Sequence, residues 1–386
     1  MAKLSDQHLP DPNRTLTSRR VRIGVMVNNM GGYARGVLRG VASYAFAKAW
    51  ECKVEGVNSR GGLESPAEFD GWIIQALSAD IAVDLHHAGV PVVNISSARG
   101  ENDLPSVVSD DIAVGRLGAD YFLRLGLRQF AFYSPLDRKF ARLRHEGFSA
   151  RLLEAGIDNS TLIKSADELE PALFQLPRPV AVMAANDTAA LTVLETCRAH
   201  GIRVPDDVAI LGVDNDDLVQ SLAFPALSSI HLATDRIGFE AAAMMEQMLN
   251  GQRPESNTRL LIPPTGVVGR QSTDVTVTTD SDVAAALRYI RDHAATAISV
   301  EDVASGVTIS RRQLERRFRD TLGRSVYDEI KRCRIERAKQ LLAETELTIP
   351  QIAMASGFST ASYFTVVFGE ETGSTPGVYR KQVKSR

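Results

Sequence analysis

From Val21 the chain alternates short apolar runs with segments whose apolar residues recur every three or four positions. The run Val21-Arg-Ile-Gly-Val-Met-Val27 predicts a buried strand. Residues 35–50 predict a helix with Val37, Leu38, Val41, Tyr44 and Ala45 on one face. The same reading puts strands at 71–74, 91–95, 130–133, 180–184 and 208–213, and helices at 113–125, 140–154 and 188–200. Strand–helix repetition of this kind implies parallel sheets with right-handed crossovers. Roughly 240 residues is long for one such sheet, so two similar lobes with a cleft between them are expected.

The alternation stops near 263–274, and the next stretch is Thr, Val, Asp and Ser without helical period. Residues 273–282 therefore read as a linker. Everything beyond them reads as short-looped helix, with a weak internal repeat. Val303-Ala304 and Ile352-Ala353 lie 49 residues apart, as do Ser310 and Ser359. Phe318 and Phe368, Gly323 and Gly373, and Ser325 and Thr375 lie 50 apart. Two copies are too few for a solenoid and fit a tandem pair of helix-turn-helix units. The predicted organisation is a disordered tail (1–20), an α/β ligand-binding body of two lobes (21–272), the linker, and an all-α domain with two helix-turn-helix motifs (283–386).

Charge sharpens this division. The 386 residues carry a net charge of −3, yet 281–386 hold 17 Lys and Arg against 13 Asp and Glu, and 311–339 hold 11 against 5. A basic segment on an acidic body suggests a polyanion-binding domain attached to something that does not touch DNA. Residues 1–20 are polar and lack the apolar stretch of a secretory signal, and no apolar run is long enough to cross a bilayer. Three widely spaced cysteines, Cys52, Cys197 and Cys333, give neither a disulfide framework nor zinc spacing. The expectation is a cytoplasmic protein without membrane partner, metal or cofactor.

In the first copy, 300–304 supplies a short helix, and Ser310 can cap the next. That helix buries Leu314 and Phe318 and turns Arg311, Arg312, Gln313, Arg316 and Arg317 outward. A major groove admits such a helix; arginine forks can pair with guanine or phosphate, and glutamine with adenine. A helical hairpin with a solvated charged face fits the spacing equally well. In the second copy, Thr348 and Pro350 open a helix, Gly357-Phe358 makes the turn, and 359–368 is the recognition helix, with Tyr363, Phe364, Val367 and Phe368 inward. Its outward polar residues are Thr360, Ser362 and Thr365, and no Lys or Arg occurs between Gln340 and Tyr379. The first copy is therefore expected to anchor the domain on phosphates, while Ser and Thr can still bond bases or phosphates. A helix over 327–343 joins the copies and could hold two recognition helices about one DNA turn, ~34 Å, apart.

These residues carry a resemblance. The C-terminal hundred or so are similar to the AraC/XylS-type DNA-binding domain, most specifically in Ile352-Ala353, Gly357-Phe358, Ser362-Tyr363-Phe364, Phe368, Gly373-Ser-Thr-Pro376 and Tyr379-Arg380. That family usually carries Arg or Lys in and after its second recognition helix, where this chain has Thr365, Val366 and Gly369-Glu-Glu371. In the body, Gly201-Ile-Arg-Val-Pro-Asp-Asp-Val-Ala-Ile-Leu-Gly-Val-Asp214, Ala185-Asn186-Asp187 and Arg270-Gln-Ser-Thr273 resemble the sugar-binding core of LacI/GalR-type repressors, a periplasmic-binding-protein-like fold. Such a core followed by such a tail is the arrangement of the xylose-operon regulators, and the resemblance runs from about Val21 to Tyr379. It implies a transcription factor that binds promoter or operator DNA, responds to a small sugar such as D-xylose, forms a homodimer and contacts RNA polymerase.

The resemblance also implies effector residues. Asp214 ends a strand and could accept bidentate hydrogen bonds from adjacent hydroxyls. Asn186 and Asp187 follow a strand, Arg144 matches the family's hydroxyl-binding arginine, Asn28 ends its strand, and Tyr33 or Arg35 could close over the ligand. Strand ends of a doubly wound sheet are where ligands bind. Asp and Asn at strand ends also cap helices, and for Asn186 and Asp187 the residues alone favour that reading.

Other clusters carry no chemistry. His86 and His87 are adjacent and do not share a helix face, Met244, Met245 and Met248 form a core stripe, and Gly24 with Gly31-Gly32 makes no dinucleotide fingerprint. No Ser/His/Asp spacing marks an enzyme. Three competing readings follow: a regulator answering another pentose, a hexose or a polyol; a cytoplasmic sugar-binding protein whose tail binds protein; and an alkyl-transfer enzyme, for which neither Cys52 nor Cys197 has a supporting cluster.

Overall fold

The apolar runs pair into two six-stranded sheets, because strands buried on both faces need helices above and below them. The computed structural model describes residues 20–27, 31–55, 66–75, 81, 85, 87–97, 104–252, 254, 258–275, 280–345 and 347–384. They form two compact units, Met1–Thr273 and Asp274–Arg386.

In the first unit, β1 (Arg22–Met26), β2 (Glu51–Glu55), β3 (Gly71–Ile74), β4 (Val92–Asn94), β5 (Ser106–Ser109) and β11 (Arg259–Ile262) build a parallel sheet in the order β11-β5-β4-β3-β1-β2. Helices α1 (Gly32–Ala47) and α7 (Thr234–Leu249) belong to this lobe. Ile23, Val25, Val37, Val41, Ile73, Val93, Ile237 and Met245 form its core. The second sheet contains β6 (Gln129–Tyr133), β7 (Thr161–Ile163), β8 (Val180–Ala184), β9 (Val208–Val213), β10 (Ser228–His231) and β12 (Gly266–Val268), in the order β12-β10-β9-β8-β6-β7. All its pairings are parallel except β10 with β12. Its helices are α2 (Asp111–Arg124), α3 (Lys139–Glu154), α4 (Ala166–Gln175), α5 (Asp187–Ala199) and α6 (Asp217–Leu222). The chain passes between the lobes after β5, after β10 and between β11 and β12, so neither lobe is continuous in sequence.

Six strands escape the hydrophobic pattern, each for a visible reason. The edge strand β2 exposes four of its five residues, and β11 exposes three of four. β5 and β10 each bury two serines beside their apolar residues, with Ser228 and Ser229 both fully enclosed. β7 and β12 are three residues long.

The second unit is helical: α8 (Ser281–His293), α9 (Val300–Gly306), α10 (Arg311–Leu322), α11 (Val326–Glu344), α12 (Ile349–Ala355), α13 (Ala361–Thr372) and α14 (Pro376–Lys384). Asp280 caps α8, accepting from the backbone N–H groups of Asp282 and Val283. That helix therefore begins inside the stretch read as linker. Two small cores serve the two copies of the repeat. Leu287, Ile290, Val303, Leu314, Phe318 and Ile330 fill the first. Ile335, Leu342, Ile352, Phe364 and Phe368 fill the second. α11 contributes to both, about 28 Å of helix at 1.5 Å per residue.

The repeat has a sharper register in the structure than in the sequence. Ser299 and Thr348 both head capping boxes, completed by Asp302 and Gln351. The second helix of each copy is capped by Ser310 and by Thr360, not Ser359, so the extra residue lies in the turn before the helix. Both helices run twelve residues and end on left-handed glycines, Gly323 at φ 68° and Gly373 at φ 72°.

Candidate functional site

In the first unit the site is built around a backbone bend. β9 ends in Val213, and the next two residues take positive φ, 110° at Asp214 and 53° at Asn215. Such conformations cost of order 1–3 kcal/mol outside glycine and persist only where the surroundings impose them. Here the Asn215 N–H donates to Ser229 Oγ at 3.0 Å, and Arg270 donates to Asn215 Oδ1 at 2.8 Å. The Asp216 N–H donates to Asp187 Oδ2 at 2.8 Å. The bend aims the Asp214 carboxylate at a ring of charges while leaving it without a hydrogen-bond donor among the described residues. Burial, with Asp187, Asp111 and Asp216 nearby and Arg144 opposing them, pushes its pKa up to about 7.

Arg144 is buried in α3. Its Nε donates to Asp111 Oδ1 at 2.9 Å and its Nη1 to the Ala185 carbonyl at 2.6 Å, while Phe140 lies 4.9 Å beneath the guanidinium. Asp111 is 2% exposed and accepts a second bond from Ser97 Oγ at 2.5 Å. The pair is held by helix packing: a Cβ on Gly115 would collide with the Arg144 carbonyl, and one on Gly147 with that of Ile112. α2 and α3 thus meet backbone to backbone, which fixes the first turn of one against the second turn of the other.

The first lobe contributes Tyr33, whose hydroxyl donates to the Ile95 carbonyl at 2.7 Å. Burial, with Asp111 and Asp214 close by, raises its phenol well above the ordinary range. Ser109 Oγ lies beside that hydroxyl, buried and without a hydrogen-bond partner among the described residues. Tyr33, Ser109, Asp111, Arg144 and Asp214 therefore converge at the carboxyl ends of strands from both sheets. All are polar groups that can donate to or accept from hydroxyls, bounded by Phe140. Asn28 lies outside the described residues.

Two predicted residues take other places. Asp187 is 1% exposed, and its oxygens are occupied by Ser229 Oγ, the Asp216 N–H and Gln220 Nε2. It braces the 214–216 bend through the Asp216 N–H, and through Ser229, which also holds the Asn215 N–H. Burial raises its pKa to about 6 despite those bonds. Asn186 Oδ1 caps α5, accepting from the Ala189 N–H at 2.8 Å. Asp111, Ser97 and Ser109 were not singled out by sequence. Only the position of Asp111, just after a strand and before a helix, could have drawn attention, and there it reads as a cap.

In the second unit the charge excess is largely internal. Arg332 pairs with the buried Glu329 and with Asp274, Arg324 with Glu329, and Lys331 with Glu371. Arg334 donates to the Ala294, Thr296 and Ile298 carbonyls, and Arg337 to that of Ala355. Arg317, expected outward, is half-buried and bound to Asp280 and Asp282. Arg311 is exposed and pairs with Glu301. Arg312 and Arg316 are exposed and have no ionic partner among the described residues. Gln313 is exposed and folds back on Ser310 to complete the cap.

On α13, Thr360 is the cap, Ser362 is exposed, and Thr365 Oγ1 donates to the Ala361 carbonyl at 2.8 Å. Tyr363, expected inward, is 42% exposed, and its hydroxyl bonds that of Tyr327. No helix among the described residues is long and apolar enough to cross a membrane.

A two-lobed binding fold with convergent polar groups at its strand ends, and a double helix-turn-helix with free arginines on one helix, define a ligand-responsive DNA-binding regulator. Residues 119–273 match the Periplasmic binding protein-like domain family, and residues 303–382 match the Helix-turn-helix domain family. The chain is 29% identical to the Xylose operon regulatory protein of Haemophilus influenzae, over 95% of this chain and 99% of that one. It is 28% identical to the Xylose operon regulatory protein of Escherichia coli, over 94% and 97%. The solved structure of a xylose-binding transcription activator, xylR, matches at a TM-score of 0.76 and 28% identity, over 94% of this chain and 98% of that one. The chain is a transcription regulator built like the xylose operon regulatory proteins.

Proposed function

We propose that this regulator answers to D-xylose, bound between the lobes by Tyr33, Ser109, Arg144 and Asp214. The carrying observation is the Asp214 carboxylate, set on a strained bend beside the buried Arg144 and given no donor by the described residues. A carboxylate so placed is completed by a ligand offering adjacent hydroxyls. Asp111 and Ser97 hold Arg144 in position, and Asp187 holds the bend. Arg312 and Arg316 carry the phosphate or guanine contacts of the DNA-binding domain, with Ser310, Arg311 and Gln313 at the start of the same helix. The ligand acts through its different affinity for two arrangements of the lobes. Two copies acting together, contact with RNA polymerase, a cytoplasmic location and an action without catalysis complete the reading.

A thermal-shift screen of the full chain across pentoses, hexoses and polyols tests it. A sugar at ~100 times its dissociation constant stabilises the fold by about 2.7 kcal/mol. D-xylose is expected to give the largest shift, and Asp214→Ala to abolish it while leaving binding to the chain's own upstream DNA intact. A larger shift with another sugar reassigns the effector. No shift with any of them overturns the ligand-binding reading.

A further inference from the structure

The second helices of the two repeats correspond residue for residue over a 50-residue offset. Their caps are Ser310 and Thr360, and the fully enclosed pairs are Leu314 with Phe364 and Phe318 with Phe368. The outward positions therefore correspond as well: Arg312 with Ser362, and Arg316 with Val366. In the first copy these two positions, one helical turn apart, carry guanidinium groups. In the second, Ser362 is exposed and Val366 is 59% exposed. The neighbouring polar groups of α13 are committed elsewhere: Thr365 to the Ala361 carbonyl, Tyr363 to Tyr327, Glu371 to Lys331.

Whatever face α10 turns to a groove, α13 turns the equivalent face with an aliphatic group where the first copy has a charge. A face without cations gains nothing from counterion release, so what it adds comes from contacts that salt hardly touches, and only those to base edges carry sequence information. The apolar feature of the major groove is the thymine C5-methyl group. We propose that α13 reads its DNA segment by packing the Val366 isopropyl group on a thymine methyl, with the Ser362 hydroxyl bonding an adjacent base edge. The first copy then supplies salt-dependent anchoring, and the second supplies thymine selectivity that salt hardly touches. This rests on the DNA-binding reading above.

The test uses the full-length chain and a duplex selected by it from a random pool. Each thymine of that duplex is replaced singly by uracil, which removes the methyl and nothing else. The half-site read by α10 is recognised as the one whose contacts are lost in Arg312→Ala. In the other half-site, uracil at one thymine is expected to weaken binding about four-fold, the loss of one buried methyl. Val366→Ala is expected to weaken binding by a similar factor, to erase the sensitivity to that uracil, and to leave the salt slope and the melting temperature unchanged.

Uniform tolerance of uracil in that half-site would overturn the proposal, as would sensitivity that survives in Val366→Ala. So would a footprint confined to the α10 half-site, which would leave the α13 face to a protein partner. A chain that binds no duplex at any salt concentration would overturn the DNA-binding reading itself.

Discussion

Arg35 of the first lobe donates to Asp216 of the second across 2.8 Å, and the Gly32 N–H donates to the other oxygen of the same carboxylate at 2.5 Å. Asp216 thus sits at the N-terminal end of α1, where backbone donors and the helix dipole favour an anion. It also caps α6 through the Leu218 N–H. Burial alone would raise its pKa, but the bonds from Gly32, Leu218 and Arg35 hold it below the usual range. The carboxylate is a strut between the lobes, and it works against opening. Arg35→Ala is expected to weaken sugar binding about five-fold or more, since closure then lacks one favourable contact. Calorimetric titration with D-xylose measures this, and equal affinities would show that the strut does not contribute to closure.

The Asp111–Arg144 pair is enclosed, with side chains 1% and 5% exposed. Removing one member leaves the other charge buried and uncompensated. Asp111→Ala is therefore expected to destabilise the first unit by about 3–5 kcal/mol, measured by chemical denaturation followed by tryptophan fluorescence. Asp111→Asn keeps a hydrogen-bond acceptor for Arg144 Nε and is expected to lose less. A loss below about 1 kcal/mol for the alanine variant would show that the pair is not the support described here.

Asp214 supplies a pH dependence of definite sign. Its folded pKa of about 7 lies above the ordinary aspartate value near 3.8. Between those values the native state binds more protons than the unfolded one, so this group's contribution to stability falls as pH rises. It is least unfavourable below the unfolded value and fully unfavourable above pH 7. Asp214→Asn is expected to raise the melting temperature of the sugar-free chain at pH 8 by about 2–4 °C for each kcal/mol relieved. The difference from wild type is expected to shrink towards pH 4, and a difference independent of pH would contradict the assignment.

The arginines of α10 separate by partner. Arg312→Ala and Arg316→Ala are each expected to lower DNA affinity and to reduce the slope of log affinity against log salt by about one. Arg317→Ala breaks contacts with Asp280 and Asp282, so its expected effect is on the thermal stability of the second unit, with little change in slope. Gel shifts across salt concentrations, paired with melting curves, distinguish the two behaviours. Equal changes of slope for all three would mean that Arg317 leaves its acidic partners to meet DNA.

Much of the architecture was legible in local patterns. β3, β8 and β9 follow from apolar runs, and α10 from the spacing of Leu314 and Phe318, because each reports how one element divides core from solvent. The six missed strands lacked that signal: β2 and β11 lie on sheet edges, β7 and β12 are short, and β5 and β10 bury serines that find partners only in the folded chain. Ser229, for example, is a polar residue that can be buried only because Asp187, 42 residues away, accepts its hydroxyl at 2.6 Å.

The candidate sites divide along the same line. By itself the sequence determined which residues can carry charge or donate hydrogen bonds, which helices have a polar face, and that one unit repeats at about 50 residues. These properties follow from residue type and short-range period. Only the tertiary structure decided which charges are spent and which are free. Arg332 is neutralised by Asp274, 58 residues away, and Arg317 by Asp280, 37 away, while Arg312 and Arg316 meet no such partner among the described residues. Asp187 became a brace and Asp111 a clamp for the same reason. An ion pair depends on where two distant segments are brought by the packing of everything between them, and no periodicity along the chain encodes that distance.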